Sequence, residues 1–442
     1  MDSSRHVGEG ISRRKFIGNS GLLLGAMLSP IPAAIVSTSF SNSTEEQSRM
    51  SVTSELNLST LPNFCSHEHW GCIDSIGYIE NFGFRSDVVA GARPTSPTSI
   101  WNLLLDPYLV ATMQRSGRSS NSSALEAGYA SQKDWWKANP AKALNGFKKV
   151  FSSMKMLGTF HCTRRGIENL YGVDIRNFDL EQWKSVDKDI EKRYADIFSW
   201  YQEAMKKSHF TRLIRPVHPE FYLREDTPES KKQELSFTDT ILRIDPLMDL
   251  WMEKSPPRDS LAESTDIEPE NAKSWREFIT RVFDLAAKNH ATGIKQLQAY
   301  KRSSDFQLRS DSEVKFRGQL TPDEVNIFKD WVMHECCKQA NERRWPHQVH
   351  VGTNNLRGSN PLPLEDISKR YPQMNIVMLH CWPFFKEAGQ LARNFPNLYI
   401  DTCWVPVLNP NFLGEALDMW LNYVPYHKIM MAHDSTSISF FK

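Results

Sequence analysis

Residues 61–71 read LPNFCSHEHWG, a short apolar run that leads straight into His67-Glu68-His69. Side chains two apart on an extended strand point to the same face. His67 and His69 can therefore approach one metal ion from a single strand end. Taken alone, a His-x-His is equally a polar strand-to-loop turn, and the rest of the chain has to decide. Four later segments do so, because each is an apolar run that carries a histidine or an aspartate at or near its end. WPHQVHVG (345–352) contains His350, NIVMLHCWP (375–383) contains His380, NLYIDTCW (397–404) contains Asp401, and KIMMAHDS (428–435) contains Asp434.

Three further runs complete a set of eight expected strands: 210–216, 239–244 and 292–298, with the first strand at 61–66. Between most of them the apolar spacing is near 3.6, as at 275–288 and 321–343. Thr321-Pro322-Asp323-Glu324 reads as a helix start, with an N-cap, a proline at the first turn and an acidic N3. Strand alternating with helix predicts a parallel sheet, and eight such units predict closure into a (β/α)8 barrel. The exception is 70–209, which holds helical patterns at 131–156 and 187–207. This stretch reads as a helical insertion after strand one, folded over the barrel mouth. Within it Leu170-Tyr171-Gly172-Val173-Asp174 is a helix ending. Only eight residues follow Asp434, too few for the helix that covers an eighth strand, so the last helix is expected to be missing.

In that order the strand-end residues resemble the amidohydrolase superfamily, and within it the amidohydrolase-related branch of metal-dependent TIM-barrel enzymes. The resemblance runs from about residue 61 to the C-terminus and is strongest from Trp345 to Asp434. It implies a divalent metal ion, zinc foremost, held by His67, His69, His350 and Asp434. His380 matches the strand-six histidine, which binds a second metal or polarises a substrate carbonyl. Asp434 matches the strand-eight aspartate that touches the metal and shuttles a proton, so Asp434 and His380 are the implied catalytic pair. Nitrogen and oxygen ligands with one position left open suit a catalytic ion that activates water. The Ala-His that precedes Asp434 departs from the Gly-Ser or Ser-Thr usual there, and His433 reads as an outward-facing strand residue.

Lys295, in strand four, keeps three readings open: a substrate-facing cation, a carboxylated bridge between two metals, or a structural group, since a buried ammonium is costly without a partner. Arg215 and His218, at the end of strand two, are candidates for binding substrate. The function so implied is hydrolysis of an amide, ester or lactone bond in a small molecule. Non-oxidative decarboxylation and a uronate-isomerase-like reaction are alternatives on the same scaffold, and a truncated, non-catalytic binding protein is an alternative of a different class.

Ser12-Arg13-Arg14-Lys15-Phe16-Ile17 places paired arginines before an apolar stretch too short and too interrupted to span a bilayer. Residues 1–38 read as a twin-arginine signal peptide, 39–57 as a flexible linker, and 58–442 as the barrel. Export through the twin-arginine machinery, to a periplasm, is the expectation. Lys plus Arg number 53 against 52 Asp plus Glu, interspersed, which argues against a nucleic-acid partner or stable membrane insertion. A homo-oligomer remains open. The seven cysteines include several in apolar strands, where cysteine behaves as a small buried hydrophobe. Neither a Gly-rich dinucleotide fingerprint nor haem or iron–sulfur cysteine spacing is present, which argues against an oxidoreductase.

Overall fold

The computed structural model describes residues 63–67, 100, 139–223, 232, 235–250, 256–353 and 355–434. His69, the N-terminal signal region, much of the 70–209 stretch and the residues after Asp434 lie outside them. Eight strands form one sheet in the order β1 to β8. They are β1 (Asn63–Cys65), β2 (Phe210–Val217), β3 (Thr238–Arg243), β4 (Ala291–Gln296), β5 (His347–Val351), β6 (Ile376–His380), β7 (Leu398–Asp401) and β8 (Ile429–Met430). Every neighbouring pair is parallel. The Ser66 amide donates to the Met431 carbonyl and the Asp434 amide to the His67 carbonyl, each at 3.3 Å. These bonds join the first strand to the last and close the sheet on itself.

Every residue of β5 and β6 is buried, as expected for strands covered on both faces. Val349, Val351, Ile376, Met378, Leu398 and Ile400 share one core with Trp275, Phe278 and Phe283 of helix Ala272–Lys288 and with Phe328 and Trp331 of helix Pro322–Arg343. Because side chains alternate along a strand, Gln348 and His350 must face the other way, into the barrel. The longer helix starts where the sequence places it. The Glu324 amide donates to Thr321 Oγ1 and the Thr321 amide to Glu324 Oε2, a reciprocal capping box with Pro322 at the first turn.

The region before β2 differs in detail from its reading. The expected 187–207 helix is two, Leu180–Tyr194 and Ile197–Lys207. Asp196 is the reason: its carboxylate accepts from the Ser199 amide and so caps a new helix instead of continuing the old one. The 131–156 pattern is helical from Pro140 to Met154. Helix Gly158–Tyr171 ends at Gly172 with φ 71°, as the Leu-Tyr-Gly-Val-Asp pattern predicts. Its first residue must be glycine, since a Cβ there would lie 2.8 Å from the Leu408 carbonyl oxygen. That close approach sets the helix against residues 405–410, just beyond the C-terminal end of β7. No described helix is long and apolar enough to cross a membrane.

Candidate metal centre

Active sites of (β/α)8 barrels lie at the C-terminal ends of the strands, and of the expected residues His67, Lys295, His350, His380 and Asp434 come together there. His67 follows β1 and is fully buried. Its ring is oriented by Gln348 of β5. The Gln348 side-chain amide nitrogen donates to the Ser66 carbonyl at 2.6 Å. A carbonyl can only accept, so the amide oxygen of Gln348 must be the atom 2.6 Å from His67 Nδ1. His67 Nδ1 therefore carries a proton, and Nε2 is the nitrogen turned to the barrel interior, where its lone pair is the one available to a metal ion.

Two groups meet that lone pair. Asp434 Oδ1 lies 3.3 Å from His67 Nε2, and Lys295 Nζ lies at the same distance. Asp434 is held in left-handed backbone, φ 57°, in the segment that follows β8. Burial pushes the Lys295 ammonium pKa down and Arg243 adds to the effect, against the opposing pull of Asp434 and Cys403.

The Cys403 sulfur, a His67 ring nitrogen and an Asp434 carboxylate oxygen all lie within 4.8 Å of one another, the one such group of three found among the described residues. Cys403 follows β7, and its peptide is held on both sides. Its amide donates to Asp401 Oδ1 at 2.6 Å, and its carbonyl accepts from His380 Nδ1 at 2.9 Å. Asp401 in turn accepts a short hydrogen bond from Ser66 Oγ, next to His67.

His350 and His380 stand beside this group, with ring centroids 4.4 Å apart. Strict alternation would send His380 with Ile376 and Met378 toward the helices. The left-handed backbone at His380 (φ 67°) and Cys381 (φ 59°) breaks the alternation, and the ring sits with Nδ1 4.0 Å from Asp434 Oδ2. His350 is not one of the close group of three. Its Nε2 is 2.8 Å from Thr353 Oγ1, and its ring packs on Tyr300. Burial, then the neighbouring His380 and Lys295, hold its pKa well below the usual histidine range, so the ring is neutral and competent to ligate. Gly352, between them, has φ 75° and would place a Cβ 2.0 Å from the Trp382 carbonyl oxygen. Arg215 is buried in β2 and His218 is half-buried just after it. His433 packs edge-on against Phe210.

These donors fit a divalent cation. Bonds of about 2.0–2.1 Å from histidine and carboxylate, at a tetrahedral angle, put the two donor atoms about 3.3 Å apart. That is the spacing of His67 Nε2 and Asp434 Oδ1. Neither Gln348 nor Cys403 stood out as a site residue in the sequence. Gln348 had a usable signal, since it lies two before His350 on the same strand face. Cys403 had none beyond its place two residues after Asp401.

Residues 299–430 match the family model described as Amidohydrolase. The protein fluG of Emericella nidulans is 26% identical over 182 residues, which are 36% of this chain and 21% of that protein. The chain thus spans about a fifth of that relative's length. Among solved structures, uronate isomerase from Thermotoga maritima is similar with a TM-score of 0.64 at 16% identity, over 87% of this chain and 85% of that one. Glucuronate isomerase from Caulobacter crescentus is similar with a TM-score of 0.61 at 16% identity, over 86% and 82%. At that identity the likeness is one of fold, and it covers nearly the whole barrel.

Proposed function

We propose that this chain is a metal-dependent hydrolase of the amidohydrolase superfamily, acting on an amide, ester or lactone bond of a small molecule; the family match over residues 299–430 and the barrel fold support the reading. One observation carries the reading: His67 Nε2 and Asp434 Oδ1 face each other at the edge length of a four-coordinate centre, while the other nitrogen of His67 is committed to Gln348. His67, His69, His350 and Asp434 are the residues to hold the ion, with zinc the first choice for this donor set. A divalent cation there supplies Lewis acidity toward water and a substrate carbonyl. Asp434 takes the proton from the attacking water and returns it to the leaving group. His380, whose Nδ1 donates to the Cys403 carbonyl, polarises the substrate carbonyl from Nε2 in its imidazolium form, the only form with a second N–H to donate. Lys295, beside His67 and Asp434, offsets the charge that develops on that oxygen. Arg215 of β2 and His218 just after it are the candidates to bind an anionic part of the substrate.

The test is metal analysis of the purified protein, followed by a panel of amides, esters and lactones. Turnover that depends on added metal supports the proposal, and a metal-free protein of full activity overturns it. The near whole-length fold likeness to two uronate isomerases favours one second reading, proton transfer between adjacent carbons of a sugar acid. Solvent deuterium entering the product carbon skeleton would distinguish it from hydrolysis. Paired Arg13 and Arg14 before an interrupted apolar stretch support export through the twin-arginine pathway to a periplasm.

A further inference from the structure

We infer that Cys403 is itself a ligand of this ion, so that the centre is a mixed imidazole, carboxylate and thiolate site. The inference rests on the metal-site reading above and departs from an all-nitrogen-and-oxygen set. Its first support is position: Sγ of Cys403 lies within 4.8 Å of the donor atoms of both His67 and Asp434. Ideal bonds of about 2.0 Å to nitrogen and about 2.3 Å to sulfur would bring those atoms to about 3.5 Å. A shift of about an ångström on loading closes the shell.

Its second support is the way the residue is held. Metal ligands are typically oriented by hydrogen bonds from the groups around them, and the Cys403 peptide is fixed at both ends. Asp401 takes its amide, and His380 donates to its carbonyl. The same Asp401 carboxylate is bonded to Ser66, whose carbonyl anchors Gln348, which orients His67. One chain of buried polar bonds thus fixes the His67 imidazole and the backbone that carries the Cys403 thiol. Packing alone explains Cys336, Cys337 and Cys381 better. Cys336, Cys337 and Cys381 are buried with their thiols pushed up by burial, and none belongs to a comparable group of donors.

On ligation the Cys403 thiol releases its proton to solvent, and a sulfur lone pair bonds the cation, with no change in oxidation state. A thiolate biases the site toward zinc and cobalt and away from magnesium and manganese. It also lowers the net charge that the ion presents to substrate.

Cobalt(II)-substituted protein is the test. A thiolate ligand gives an intense near-ultraviolet sulfur-to-cobalt charge-transfer band. That band should be present in the wild type and absent from Cys403→Ser, which still binds cobalt but more weakly. Second-sphere losses cost about 10–100-fold in affinity, and the loss of a ligand should cost at least the upper end of that range. X-ray absorption at the zinc edge of wild-type protein needs no variant, and should show one sulfur at about 2.3 Å. Cobalt or zinc bound with nitrogen and oxygen alone, or a band that survives in Cys403→Ser, overturns the inference. If such a wild-type protein still loses its metal in His67→Ala/His69→Ala, the metal-site reading stands and only the thiolate falls. Failure of the wild type to bind either ion overturns both.

Discussion

His67 donates through Nδ1 to Gln348 Oε1 at 2.6 Å, and Gln348 answers by donating to the Ser66 carbonyl one residue before that histidine. This two-bond clamp between β1 and β5 sets which ring nitrogen faces the barrel. Gln348→Leu should keep the fold but lower metal affinity by about 10–100-fold, as for other partners that orient a ligand. It should also cost about 1–3 kcal/mol for each buried polar group left unpaired. Gln348→Glu should cost less affinity than Gln348→Leu, because a carboxylate still accepts from His67 Nδ1 although it cannot donate to the Ser66 carbonyl. A chelator competition on each purified variant reads the affinity directly. Wild-type affinity in Gln348→Leu would show that the clamp does not orient a ligand.

His67→Ala/His69→Ala should empty the centre while the barrel persists, since the described core around Trp275, Phe278 and Trp331 lies on the helix side of the strands. Elemental analysis beside circular dichroism separates the two effects. Retained metal in a folded double variant would remove both histidines from the ligand set.

The strand ends were legible because barrel strands advertise themselves as buried apolar runs, and β5 and β6 were found within the runs expected for them. The capping box at Thr321 and the helix ending at Gly172 were legible because local chemistry alone specifies both. What alternation could not reveal was the orientation of His380, which depends on a left-handed backbone that a histidine rarely adopts. Nor could it reveal Cys403, because a cysteine beside an apolar strand reads as packing until its neighbours in space are known. The break at Asp196 was hidden for a related reason, since an aspartate at 3.6-residue spacing passes for an exposed helix face until its capping bond is seen.

Replacing Arg13 and Arg14 with lysine should leave the protein in the cytoplasm, with residues 1–38 uncleaved. Fractionation followed by N-terminal mass measurement checks this. Continued export would show that the signal has been misread.

His347 offers a pH test away from the metal. Burial, reinforced by the nearby Lys295 charge, holds its pKa down to about 3, against roughly 6.5 in an unfolded chain. Between those values the unfolded state binds the extra proton, so the contribution is complete above about pH 6.5 and is lost as pH falls toward about 3. A shift of that size corresponds to something on the order of 5 kcal/mol when fully developed. His347→Leu removes the titration and should flatten the fall in unfolding free energy across that range. Denaturant melts of both proteins at a series of pH values give the comparison. Parallel curves would mean that the ring is not held neutral by the fold.

Asp434 allows the sharpest test of chemistry, because its backbone limits what a substitution can disturb. At φ 57° most residues are strained, but asparagine adopts this conformation about as readily as aspartate. Asp434→Asn therefore leaves the turn intact, keeps one oxygen 3.3 Å from His67 Nε2 as a weak donor, and removes only the charge and the capacity to accept a proton. General acid–base help of this kind is worth about a hundred- to ten-thousand-fold. Turnover should fall by that factor on whichever substrate the panel identifies, while metal content falls only partly. Asp434→Ala should lose metal and stability together, since it adds backbone strain of roughly 1 kcal/mol to the missing ligand. The contrast between the two variants separates proton transfer from metal binding. Turnover in Asp434→Asn equal to wild type, with metal bound in both, would remove Asp434 from the proton path.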